Sequence, residues 1–259
     1  MHKILMCDPE YFRVDYVINP WMKKGSVDSA RAQEQWQHLK ETYESLGVVV
    51  EVMPASPVYP DMVFIADQGV VHGTHMIVSK FRYAERQGES IHAAAWFASH
   101  GFTVEQSNVA FEGGEIISCG DSYLVGTGFR TESGAIPFLQ KKLRKKIVEL
   151  SLIDERFYHL DTCLFVLDAS TAFYYPPAFA PESIAWLKEN ISHLIVLGKE
   201  DAFGFAANSV VVGKHVICQV GNMKFFEQLK RCGYIPLPLD VGEYIKSGGG
   251  VHCLTLPLS

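Results

Sequence analysis

The stretch Met62-Val63-Phe64-Ile65-Ala66-Asp67-Gln68-Gly69-Val70-Val71-His72-Gly73-Thr74-His75-Met76-Ile77-Val78 reads as a strand, a turn and a second strand. A helical pattern follows from about Glu85 to His100, and then a short strand near Phe102 to Glu105. The same order returns from Glu112 to Gly126, again with a helical stretch after it. It returns from Asp161 to Tyr175 with a helix at about Pro181 to Asn190, and from Ala207 to Ile217 with a helix at about Asn222 to Arg231. The glycine-rich Lys246-Ser247-Gly248-Gly249-Gly250-Val251-His252-Cys253 segment opens a fifth copy. An N-terminal strand (Lys3 to Cys7), helix (Ser26 to Leu46) and strand (Val48 to Val52) would complete it. That helix sets Ala32, Trp36, Leu39 and Tyr43 on one face, and Gly47 stops it.

Units recurring every roughly 40 to 50 residues indicate an array, a propeller or a pseudo-symmetric ring. Each unit mixes β and α, so blades made only of strands are disfavoured. A ring of five ββαβ units brings its strand starts to one central cavity, where distant side chains meet. The whole chain, 1–259, then forms one domain, with no linker and no low-complexity segment. The aromatic-rich stretch from Tyr11 to Met22, broken by Asn19-Pro20, reads as a loop packed over something.

Composition narrows the class. With 48% hydrophobic and 20% charged residues the chain is ordinary globular material, and no apolar run reaches the roughly 18 residues of a membrane span. The apolar N-terminal stretch is too short for a signal peptide, so the expected location is the cytoplasm. Six scattered cysteines argue against both a disulfide framework and a structural zinc site. A net charge of -6 gives no reason to expect nucleic acid, and Lys141 to Lys146 reads as the solvated face of a helix.

Chemically useful groups stand near the beginnings of several units: Asp67, Glu112, His159 with Asp161, and Cys253. Cys253 follows three glycines, which allow φ > 0 and close approach of a ligand, and it opens an apolar run that reads as a buried strand. A cysteine paired with a histidine distant in sequence suits covalent catalysis, with thiolate as nucleophile and imidazole moving protons. His252 adjoins Cys253 on what reads as an extended segment, where neighbours face opposite ways, so His159 is the better proton-transfer partner. His72 and His75 flank a hairpin turn without further ligands, so no metal is expected.

Pro60-Asp61-Met62-Val63-Phe64-Ile65-Ala66-Asp67, Phe111-Glu112-Gly113-Gly114-Glu115, His159-Leu160-Asp161-Thr162 and Val251-His252-Cys253 together resemble the signature of the guanidino-group-modifying enzymes. These are the pentein-fold arginine deiminases, dimethylarginine dimethylaminohydrolases and amidinotransferases. The resemblance implies a fivefold pseudo-symmetric α/β propeller around a central active-site cavity. It implies Cys253 as nucleophile, His159 as general acid and then base, and Glu112 as the partner orienting His159. Asp67 and Asp161 would grip a guanidinium, a planar fork of donors that carboxylates accept in paired bonds. Arg130 and Arg86 are candidates for the carboxylate of an arginine-like substrate, and Asn19 is a further substrate-binding candidate. No cofactor is implied, and a homodimer is compatible with the pattern.

Ile18-Asn19-Pro20-Trp21-Met22 is similar to the arginine dihydrolase branch, which resembles this chain except at Asp67, where that branch carries asparagine. The acid favours a single hydrolysis to citrulline over two-step conversion to ornithine. Amidinotransfer to an acceptor amine shares the same thiouronium and is the other enzymatic alternative. A non-catalytic pentein binding module is disfavoured because both Cys253 and His159 are present.

Overall fold

A computed structural model describes residues 2–258. The chain opens with β1 (Lys3–Cys7), α1 (Ser29–Ser45) and β2 (Val49–Met53). A second unit follows: β3 (Gly69–His72), β4 (His75–Val78), α2 (Ala84–Gln87), α3 (Glu89–Ser99) and β5 (Thr103–Gln106). The third holds β6 (Ile116–Cys119), β7 (Ser122–Thr127), α4 (Ile136–Leu143) and β8 (Lys146–Ser151). The fourth holds β9 (Leu164–Val166), β10 (Thr171–Tyr174), α5 (Pro181–Asn190) and β11 (His193–Val196), after which comes α6 (Lys199–Phe203). The last begins with β12 (Val210–Val212), β13 (His215–Gln219), α7 (Met223–Arg231) and β14 (Ile235–Leu239). Short α8 (Gly242–Ile245) and β15 (Leu256–Pro257) end the described chain.

These strands form five three-stranded sheets, each built the same way. In the second unit β3 pairs antiparallel with β4 through a hairpin, and β4 pairs parallel with β5 across the helical crossover. The expected fifth unit is assembled from both chain ends: β15 lies antiparallel to β1, and β1 parallel to β2. Parallel neighbours need a long crossover, which is why a helix stands between the second and third strand of every unit. α1 shows the sequence logic well. The Asp28 side chain caps it by accepting from the Ala30 and Arg31 amides, and Ala32, Trp36, Leu39 and Tyr43 are all buried.

Three local readings differ from the sequence-based expectation. The apolar run before β3 is not a strand; Pro60–Val63 and Ile65–Gln68 are 3-10 turns. The segment around Cys253 is likewise a turn, with Leu254 N bonded to Gly250 O and Thr255 N to His252 O, and only Leu256–Pro257 is strand. Buried apolar residues in a crowded ring interior mimic a strand's composition without its period. The helix expected over 85–100 is two pieces, α2 and α3, meeting at Gly88. Glycine in a helix interior weakens it, and here the Tyr59 ring occupies the space a Cβ would need.

The Tyr11 to Met22 loop does pack over the ring. Phe12 stacks on Tyr244 at 4.7 Å, Tyr16 Oη donates to Asp61 at 2.8 Å, and Trp21 Nε1 donates to the Arg156 carbonyl at 2.7 Å. Among the described residues no helix is long and apolar enough to cross a membrane. Because the ring closes through β15 and β1, Leu5, fully buried against Leu256, should matter more than its size suggests. Leu5→Ala should lose about 2–5 kcal/mol in a urea titration, whereas Ile91→Ala, on the exposed face of α3, should stay within about 0.5 kcal/mol of the parent. Equal midpoints for the two variants would contradict this closure.

Candidate active site

Each inner strand of the ring is preceded by a turn, and the five turns converge at one end of the central channel. The turn before β3 carries Asp67 and the one before β6 carries Glu112 and Glu115. The turn before β9 carries His159 and Asp161, while Asn208 precedes β12 and Cys253 precedes β15. A 3-10 turn explains why His159 and Asp161, two residues apart, both reach the centre. All of these side chains are buried, none more than 3% exposed.

His159 is held from both sides. Its Nε2 lies 2.9 Å from Glu112 Oε2, and its Nδ1 lies 3.3 Å from Asp67 Oδ1 without making a hydrogen bond. Gly114 allows this approach, since a Cβ there would stand 2.7 Å from Asp67 Oδ1 and 2.8 Å from His159 Nδ1. Burial works against the charged imidazole, but Asp67 and then Glu112 outweigh it and push His159 up to about 9. Burial also opposes ionisation of Glu112, yet the charge of Arg130, followed by His159, holds that carboxyl well below its usual range. At neutral pH the pair is therefore imidazolium and carboxylate, and Nδ1 is the nitrogen with a proton to give.

Cys253 is hydrogen-bonded to other groups. Its Sγ donates to Asp161 Oδ2 at 3.2 Å, and Asn208 Nδ2 donates to Sγ at 3.1 Å. Asn208 Oδ1 in turn accepts the Cys253 amide at 3.2 Å, so one amide side chain fixes both ends of the residue. Burial, followed by the carboxylates of Asp161 and Asp67, pushes the thiol far above its ordinary value. The resting group is thiol. A cation set between Asp67 and Asp161 would cancel the electrostatic part of that penalty. Two oxygens are ready for one: Asp67 Oδ1 and Asp161 Oδ1 are buried and without a hydrogen-bond partner.

The glycine turn beside Cys253 works partly as expected. Only Gly248 uses positive φ, at +90°, whereas Gly249 and Gly250 are required because Phe64 and Asn208 press against them. Arg86 is buried with its guanidinium already engaged: Nη1 meets Asp67 Oδ2 at 2.7 Å, and Nε and Nη2 meet Glu89, each at 2.9 Å. Arg130 lies between the rings of Tyr83 and Tyr158, at 4.6 and 4.5 Å from their centres. Its Nη1 donates to Glu112 Oε2 at 3.2 Å and its Nη2 to the Ile18 carbonyl at 3.1 Å. Asn19 ties the N-terminal loop to the glycine turn, donating to Ser247 O at 3.0 Å and accepting from the Trp21 amide.

Sequence reasoning missed three neighbours of this site. Asn208 was detectable, since it stands at the start of the fourth strand pair as Asp67 stands at the start of the first. Glu115, which accepts the Leu160 amide at 3.0 Å and is pushed up to about 8 by burial, carried no signal of its own. His252 was set aside on the assumption of an extended segment. Because that segment is a turn, His252 Nδ1 in fact lies 2.9 Å from Asp161 Oδ2.

The electrostatics of His159 can be tested directly. Glu112→Gln removes one charge that favours the imidazolium, so an NMR titration should show His159 dropping from about 9 by roughly one unit. An unmoved titration would mean that Glu112 does not hold the proton.

The arginine deiminase family model matches residues 21–201. The chain is 40% identical over 255 residues to the N(G),N(G)-dimethylarginine dimethylaminohydrolase of Mycobacterium tuberculosis, spanning 98% of this chain and 84% of that protein. It is 39% identical over 268 residues to the bifunctional arginine dihydrolase/ornithine cyclodeaminase ArgZ of Synechocystis, spanning 98% of this chain but 37% of that longer protein. The crystal structure of the N-terminal domain of cyanobacterial ArgZ bound to product gives a TM-score of 0.96 at 38% identity, covering 99% of this chain and 97% of that one. A dimethylarginine dimethylaminohydrolase adduct with S-methyl-L-thiocitrulline, 24% identical, shares the pentein fold at a TM-score of 0.85, with 98% of each chain covered. With the family model matched across most of its length, and with relatives of this identity on the same five-unit ring, the chain belongs to the arginine deiminase family of the pentein superfamily.

Proposed function

We propose that this protein hydrolyses the guanidino C–N bond of free arginine or an N-methylated arginine, giving citrulline and ammonia or an amine. The observation that carries the reading is the pair of unpartnered buried oxygens, Asp67 Oδ1 and Asp161 Oδ1, beside one thiol. A guanidinium supplies planar N–H donors for both, and its charge offsets the carboxylate repulsion that adds to burial in keeping Cys253 protonated. As the guanidinium binds, the thiol proton is released to solvent, and the thiolate attacks the guanidinium carbon and forms a C–S bond. Collapse breaks the C–N bond to the departing amine, which takes the proton from His159 Nδ1. Water, deprotonated by the now neutral His159, then adds to the thiouronium carbon, and the C–S bond breaks to release citrulline and thiolate. Glu112 keeps the imidazole in register throughout.

For the substrate's α-carboxylate we assign Arg130, whose Nη2 can exchange the neutral Ile18 carbonyl for a charged acceptor. Arg86, fully engaged with Asp67 and Glu89, is a second candidate that would have to rearrange. Asn19 would contact the substrate from the loop that covers the ring. A cytoplasmic setting suits the six free cysteines. The second reading is continued hydrolysis to ornithine, favoured by the Ile18 to Met22 segment and by the likeness to ArgZ, and opposed by the acid at Asp67.

Product analysis by mass spectrometry after incubation with L-arginine separates the two readings. Citrulline with one equivalent of ammonia supports the first, and ornithine with further ammonia supports the second. With no product from arginine, asymmetric dimethylarginine is the next substrate; inertness toward both would overturn the proposal. Cys253→Ser should lower kcat by at least about a thousandfold with an unchanged melting transition, and a fully active variant would exclude the covalent route. For the parent enzyme at saturating substrate, where the bound cation favours the thiolate, kcat should decline on the alkaline side as His159 loses the proton it delivers. A profile still rising there would remove His159 as the acid.

A further inference from the structure

On the strand side of the turns that carry the candidate site the ring holds a chamber. It is a cavity of about 310 Å³, walled by the inner strands through Val71, Ile117, Phe165, Val211 and Leu256. Its base is formed in part by Asp161 and His252, so this chamber and the thiol are separated by one carboxylate. The His252 side chain is 28% exposed, whereas Asp161 is 1% exposed. Both His252 Nδ1, at 2.9 Å, and Cys253 Sγ, at 3.2 Å, address the same oxygen, Asp161 Oδ2. An ionised carboxylate has no proton to donate, so Nδ1 and the thiol are both donors. Asp161 Oδ1 is left without a partner.

We propose that His252 is a positioning residue that acts on Asp161 from the rear chamber, aiming Oδ1 at the guanidinium and easing ionisation of Cys253. This rests on the reading of Asp161 as a guanidinium ligand and Cys253 as nucleophile. Two effects follow from one hydrogen bond. Holding Oδ2 fixes the rotation of the carboxylate, which otherwise has only the thiol to define it. When the thiol loses its proton, Sγ and Oδ2 become two anions 3.2 Å apart, and the Nδ1–H of His252 keeps part of the oxygen's charge engaged. The other charged and titratable groups around Cys253 come from the remaining turns: Asp67 before β3, Glu112 and Glu115 before β6, and Tyr158 with His159 before β9. The turn before β12 presents the uncharged Asn208. Among these groups His252 alone reaches Asp161 from the rear chamber.

The test is alkylation of Cys253 by iodoacetamide without substrate, followed on the Cys253 peptide by mass spectrometry. His252→Phe keeps the ring shape and removes the donor, while His252→Asn keeps a donor near Nδ1 and removes the bulk. Raising the thiol by one unit lowers its thiolate tenfold, and the greater nucleophilicity of the more basic thiolate restores part of that. The Phe variant should therefore label about threefold more slowly below the midpoint. The Asn variant should label at the parental rate. A Phe variant that labels like the parent, or an Asn variant as slow as Phe, would overturn the proposal and leave His252 a packing residue. Because no substrate is present, a failure of the proposed hydrolysis would appear in the product analysis and leave this comparison readable.

Discussion

Crowding carboxylates around one buried thiol is the constraint on which the rest of the structure depends. Asp67, Glu89, Glu112, Glu115 and Asp161 are all 3% exposed or less, against three buried cations at the same centre, Arg86, Arg130 and His159. An unpaired buried charge costs several kcal/mol even after relaxation. Part of the excess is relieved by protons, since burial pushes Glu89 up to about 7 and Glu115 up to about 8. The arginines relieve another part, each bonding a carboxylate that itself faces His159. What remains is a centre with buried carboxylate oxygens that lack donors, Asp67 Oδ1 and Asp161 Oδ1 among them. The planar N–H donors of a guanidinium would match that deficit in shape and number.

The ring makes such crowding feasible. Five sheets, each with its inner strand preceded by a turn, bring residues as distant in sequence as Asp67 and Cys253 to one point without a long loop. Each turn contributes differently: an acid, an acid pair flanking two glycines, a histidine and acid, an amide, and a thiol. The two glycines between Glu112 and Glu115 matter because neighbouring turns pack on them directly, so a Cβ would displace the carbonyl of Ala66 or the ring of His159. The N-terminal loop closes the arrangement from above, with Ile18 and Asn19 bonded to Arg130 and to the glycine turn. Site and architecture are therefore one object: turning or shifting any unit would move one member of the cluster.

The repeat was readable because paired strands and amphipathic helices write different periods, and the order of those periods recurs along the chain. α1 followed its sequence closely for the same reason, with Asp28 at its start, four apolar residues on one face and Gly47 beyond its end. The 3-10 turns that hold the buried acids and His159 were not readable. Val63, Phe64 and Ile65 are apolar because the ring interior surrounds them on all sides, and such a run has no period from which to tell strand from turn. The misreading at Cys253 had the larger consequence: alternation along a strand would have sent His252 away from Asp161, whereas the turn brings both neighbours to it.

Sequence alone determined the number of units, their ββαβ order, the completion of the fifth by the two chain ends, and a set of acids, histidine and cysteine whose motifs resemble those of the guanidino-group-modifying enzymes. The units are local properties, set by period and turn chemistry. Tertiary structure decided the pairing within the cluster: Arg86 against Asp67, Arg130 against Glu112, Asn208 and Asp161 against Cys253. It also decided the protonation that follows, because His159 rises beside Asp67 and Glu112, and Glu112 falls beside Arg130 and His159, only when these groups are buried together. Which charge meets which depends on how five turns from separate units are rotated about one axis, and no stretch of sequence records that rotation.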